Sequence, residues 1–128
     1  MIQADGGTRT ASITGAYVAL HRAFDHLIRE GLIKSQPLFY QVAGISCGLI
    51  GGEAIADLDY SEDSAAEVDA NFVITSGGGL VEVQATGEQG PFSRVHLDKM
   101  LGIAEVACDR LFFIQRDALG FSRDSIDT

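Results

Sequence analysis

The chain has 128 residues, 46% of them hydrophobic, with 9 basic against 18 acidic side chains and a net charge of −9. That length accommodates one domain with a real core and is short for two, while the apolar content excludes a disordered chain. The acidic balance argues against a nucleic-acid-binding face on this chain alone, and no apolar run approaches the roughly 20 residues that a membrane-spanning helix needs.

The first residues, Met1 to Asp5, have neither the basic region nor the apolar core of a signal peptide. Cys47 and Cys108 lie far apart in apolar patterns without metal-ligand spacing, so buried thiols and a cytoplasmic location are expected. Ala4-Asp5-Gly6-Gly7-Thr8-Arg9-Thr10-Ala11-Ser12 then combines a glycine pair with hydroxyls, an arginine and the start of a helical pattern. Unpaired N–H groups and the positive end of the dipole make a helix start attractive to anions such as phosphate. Thr8, Thr10 and Ser12 add hydroxyl donors, and Arg9 can fork onto two oxygens. Taken alone, the stretch also fits an ordinary turn with a threonine cap.

From Thr10 to Glu30, Ile13, Tyr17, Leu20, Phe24, Leu27 and Ile28 recur at helical spacing, with His21, Arg22, Asp25, Arg29 and Glu30 off the stripe and Gly31 as the stop. Gly15 costs this helix about 1 kcal/mol relative to alanine, which either a close backbone contact or simple tolerance would explain. Tyr40 to Ile50 alternates with period two. Ala43, Ile45, Cys47 and Leu49 take one face, and Val42, Gly44, Ser46 and Gly48 a second, small-residue face against which something packs closely. Gly51-Gly52 is a hairpin turn into a second alternating run, Glu53 to Tyr60.

Asp57, Asp59, Glu62, Asp63, Glu67 and Asp69 follow with almost no basic partner. Crowded carboxylates raise one another's pKa, and a divalent cation relieves that cost. Asp63 and Asp69 flank a short segment that can bring both to one end of a sheet, where Mg²⁺ would suit them. A solvated acidic loop is the alternative. Further strands run through Phe72 and Ile74 and from Leu80 to Thr86, around Gly77-Gly78-Gly79. Ser93 caps a last helix with Leu97, Leu101, Ala104, Cys108 and Leu111 on its stripe. The pattern gives one α+β domain over residues 1–120, a four-stranded antiparallel sheet with helices on one face, and an expected disordered tail at 121–128. His21, His26 and His96 lie within helical patterns and accompany no serine or cysteine nucleophile. An anion cradle and an acidic turn together suit phosphoryl transfer, which needs positioning and charge stabilisation above all.

Three stretches, Ile2 to Gly15, Asp57 to Asp69 and Val81 to Ser93, closely resemble the ribonuclease PH family in order and spacing. The resemblance covers Ile2 to Ala118 and implies half of a ribosomal protein S5 domain 2-like fold. It also implies a phosphate-dependent 3′→5′ exoribonuclease that trims tRNA 3′ ends and releases nucleoside diphosphates. Gly7, Thr8 and Arg9 stand where the family binds phosphate, with Thr10 and Ser12 nearby. Asp63 and Asp69 stand where it places the aspartates that hold Mg²⁺ (or Mn²⁺) or assist the leaving oxygen. Inorganic phosphate as co-substrate, the RNA 3′ end as partner and a hexameric ring of dimers are implied likewise. A family chain is about twice this length, so the sequence corresponds to its C-terminal half, lacking a further phosphate-binding arginine and most of the basic RNA-facing residues. A non-catalytic remnant or interaction module is therefore the competing expectation, and an unrelated acidic metal-binding α+β domain a third.

Overall fold

The computed structural model describes residues 8–56 and 65–120. Helix α1, Thr8–Arg29, is followed by strands β1, Val42–Ile50, β2, Glu53–Ala56, β3, Val68–Thr75, and β4, Leu80–Gly87, and by helix α2, Arg94–Ala118. The strands form one antiparallel sheet in the order β2-β1-β3-β4. The four-stranded antiparallel sheet with two helices agrees with the α+β class expected from the sequence. The tail at 121–128 and the end of the second alternating run, 57–60, lie outside the described residues.

Alternation in β1 and β3 builds the core. Ala43, Ile45, Cys47 and Leu49 share a face with Val68, Ala70, Phe72 and Ile74, and α2 covers them with Met100, Ala104, Cys108 and Phe112. Full burial of side chains such as Phe72, Leu49 and Met100 stabilises the domain by about 1.5–3 kcal/mol each. The hairpin turn is closed by Gly51 and Gly52 at φ 58° and 82°, a region open to glycine at low cost. Its first N–H donates to Glu67 Oε1 at 2.7 Å. Ser93 caps α2 as expected, accepting from the His96 N–H at 3.1 Å.

Among the described residues, β2 pairs with β1 from Cys47 to Ile50. α1 packs against the backbone of β1 around Gly44. Thr14 Oγ1 accepts from the Gly44 N–H at 3.0 Å, and its own proton is within reach of Gly44 O at 3.3 Å and Thr10 O at 3.2 Å. Gln115, in α2, is almost fully buried. Its amide nitrogen donates to Thr14 O at 3.1 Å and Val42 O at 2.8 Å, and its oxygen accepts from Gln41 Nε2 at 3.1 Å. One side chain thus ties α1, β1 and α2 together.

This placement corrects two details of the helical stripes. His21 is buried at 5% exposure whereas Leu20 is 47% exposed, so the inward face of α1 runs through Thr10, Tyr17 and His21. A helix that packs on strand backbone needs polar groups where one on a sheet face needs apolar ones. In α2 the fully inward residues are Met100, Ala104, Cys108, Phe112 and Gln115, with Leu97, Leu101 and Leu111 packed at the margin of the core.

Candidate active site

The small-residue face of β1 is where α1 begins. Gly44 faces away from the α2 side, and a Cβ built on it would lie 3.1 Å from the Cα, Cβ and carbonyl oxygen of Thr10. The absent side chain is what lets the first turn of the helix approach the sheet, as the run of small residues led one to expect. Thr10 is consequently buried, while Ser12 is exposed on the outer side of the helix.

Gly44 is paired with Val73 on β3, and Val73 with Glu82 on β4. This row crosses the sheet beneath the start of α1. Arg9 reaches across it, and its guanidinium forms an ion pair with the Glu82 carboxylate. From β1 to β4 is two inter-strand spacings, about 10 Å. Both partners keep solvent contact, at 54% and 34% side-chain exposure.

Further along the same face the side chains are polar. Ser46 Oγ donates to Asn71 Oδ1 at 3.0 Å. Asp69 is half-buried on β3, level with Gly48 of β1 and Thr86 of β4. It shares the Gly44 face because it alternates with the core residues Val68 and Ala70. Asp69 lies four positions before Val73, which places it about 13 Å along the strand from the Arg9 row. The start of α1 and Asp69 therefore share one face of the sheet, with Val73 and Ser46 buried between them.

Gly7 and Asp63 lie outside the described residues, and Thr8 opens α1. Of the expected phosphate ligands, Arg9 is directed over the sheet and Thr10 packs beneath the helix. Of the expected aspartates, Asp69 stands on that face. Among the described residues no group of three His, Cys, Asp or Glu is placed to hold a metal ion. Sequence reasoning missed Glu82 and Asn71, although both alternate onto the second face of their strands and the period-two pattern could have selected them. A cleft of about 340 Å³ between Leu49, Glu67, Gln89, Ser93 and His96 lies toward the α2 side and is not part of that face.

Cys108 is the other group with marked chemistry. Burial, and secondarily Asp109, push its thiol up to about 11. It is inert packing rather than a nucleophile.

Residues 40–107 match the family described as 3′ exoribonuclease family, domain 2. Over 120 residues the chain is 52% identical to Ribonuclease PH of Caulobacter vibrioides, covering 94% of this chain and 50% of that protein. Against Ribonuclease PH of Methylobacterium radiotolerans the identity is 53% over 119 residues, covering 93% and 50%. The chain thus spans about half the length of the curated relatives it matches. In fold it is similar to rice Rrp46, with a TM-score of 0.59 at 20% identity over 90% of this chain and 51% of that one. No helix among the described residues is long and apolar enough to cross a membrane. With more than half of its residues matching domain 2, the chain belongs to the 3′ exoribonuclease family.

Proposed function

We propose that this chain forms the C-terminal part of a phosphate-dependent 3′→5′ exoribonuclease of the ribonuclease PH type, acting on tRNA precursor 3′ ends in the cytoplasm. The observation that carries the reading is that Arg9, at the start of α1, and Asp69, on β3, lie on one face of the sheet. Gly7, Thr8 and Arg9, with Thr10 and Ser12 nearby, are the phosphate site. The guanidinium and the N–H groups of the first turn hold the attacking phosphate and spread its charge.

In the reaction an oxygen of inorganic phosphate attacks the phosphorus of the last phosphodiester. The bond from that phosphorus to the preceding 3′ oxygen breaks, a nucleoside diphosphate leaves, and the freed 3′ oxygen takes up a proton. Asp63 and Asp69 act at that oxygen. The carboxylate chemistry of Asp69 suits Mg²⁺ or Mn²⁺, which Asp63 and Asp69 would hold. When bound, the ion supplies charge neutralisation at the scissile phosphate.

Assembly into a ring of dimers is part of the same reading. The outer edge of β4, which no described strand pairs, supports it, as do the exposed Leu80, Val81 and Val83 that α2 hardly reaches. That surface also favours a second reading, a non-catalytic interaction module. The readings separate on phosphate. Titrated into the ¹⁵N-labelled 128-residue chain, inorganic phosphate is expected to shift the amide signals of Arg9 and Thr10 in a saturable way, whereas an interaction module shows no saturable shift there. Alone, the chain is expected to release no nucleoside diphosphate from a tRNA precursor. Robust release would show that these 128 residues suffice without the remainder of the relatives' length.

A further inference from the structure

The ion pair between Arg9 and Glu82 has a consequence for the phosphate site. Arg9 belongs to the first turn of α1 through its backbone, while its guanidinium is carried to β4, where Glu82 is fixed by the register of a paired strand. Glu82 faces the same side of the sheet as Asp69, since Val73, its cross-strand partner, is on that face. A carboxylate presents two oxygens to a guanidinium much as a phosphate does. The same donors cannot serve both anions fully. Both side chains remain open to solvent, so the pair is screened and exchangeable rather than locked.

We propose that Glu82 is a built-in competitor for the phosphate site, holding Arg9 over the sheet when no anion is bound and yielding it when inorganic phosphate arrives. This rests on the reading of Arg9 as a phosphate ligand. Its effect is on specificity. A weakly coordinating anion such as chloride does not displace the carboxylate, whereas a multiply charged, multidentate oxyanion does. Glu82 also keeps the guanidinium extended across the sheet between binding events, so that Arg9 is delivered along a defined path. Glu82 is thus a positioning residue that touches a ligand-binding group without touching the ligand.

The test is calorimetric titration of inorganic phosphate into the 128-residue chain at fixed ionic strength, for the wild type, Glu82→Gln, Glu82→Ala and Arg9→Gln. Folding of each variant is checked by its thermal melt. The Arg9 Nε–H signal is followed alongside by NMR. Both Glu82 variants are expected to bind phosphate tighter by up to about fivefold, the upper end of what loss of an exposed ion pair gives. Their Arg9 Nε–H signal in the free state should lie away from its wild-type position, and phosphate should move the wild-type signal off its ion-paired position. If Arg9→Gln abolishes binding while the Glu82 variants bind equally or more weakly, competition is overturned and the phosphate reading stands. If the wild type binds no phosphate, or Arg9→Gln binds as the wild type does, the phosphate reading falls and takes the competitor with it.

Discussion

The hydroxyl of Thr14 on α1 accepts the Gly44 N–H of β1 at 3.0 Å and lies 3.3 Å from the same residue's carbonyl oxygen. A side chain from a helix thus stands where a neighbouring strand would pair. It also fixes where α1 begins relative to the sheet, and with that the place from which Arg9 reaches toward Glu82.

Thr14→Val keeps the shape of the side chain and removes its hydrogen bonding. The Gly44 N–H then loses its partner at a partly buried position. A loss of about 1–3 kcal/mol is expected in denaturant unfolding, together with weaker phosphate binding. Gly44→Ala, which drives a methyl against the Thr10 backbone, should act in the same direction.

Gly15 and Gly102 lie inside the helices with open space where a side chain would be. Of the two explanations that the sequence allows for Gly15, tolerance is therefore the right one. Gly15→Ala and Gly102→Ala should each stabilise the domain by about 1 kcal/mol, raising the melting temperature by about 3–6 °C per substitution.

The buried thiol gives a pH signature. Cys108 titrates at about 11 in the folded chain against an ordinary value of 9.0, so the folded state holds its proton more tightly. Stability is unaffected below pH 9 and falls as pH rises from 9 toward 11. Tyr17 is displaced upward by burial and then by Asp25, and adds to the fall in the same direction. Cys108→Ala should flatten part of the slope in unfolding curves measured from pH 8 to 11. In the native wild type the thiol should resist a thiol-specific reagent that labels it readily after unfolding.

The sheet was legible where local chemistry decides structure. Alternation selected the inward residues of β1, the glycine pair marked its hairpin, and the small face of β1 announced a close neighbour. The helices were legible as helices, but their inward faces were not fully so. His21 is buried and Leu20 exposed because α1 packs against the strand backbone around Gly44, a long-range contact that its own sequence does not contain. Gln115 was passed over because a polar residue on a helix is ordinarily a solvent residue; only the carbonyls of Thr14 and Val42 make it structural. At the site, Arg9 was selected by its residue type at a helix start. Glu82 needed the β3–β4 register, a long-range fact that no single stretch of sequence contains.

Whether this chain carries the proposed phosphorolytic site is tested most directly by activity in a protein of the relatives' full length. Joined to the remaining half of the Caulobacter vibrioides relative, the chain should release nucleoside diphosphates from a tRNA precursor only when inorganic phosphate is supplied. Asp69→Asn should lower that rate by on the order of 100-fold or more with assembly and melting temperature unchanged. Equal turnover by the Asp69→Asn protein, or release that does not depend on phosphate, would contradict the account.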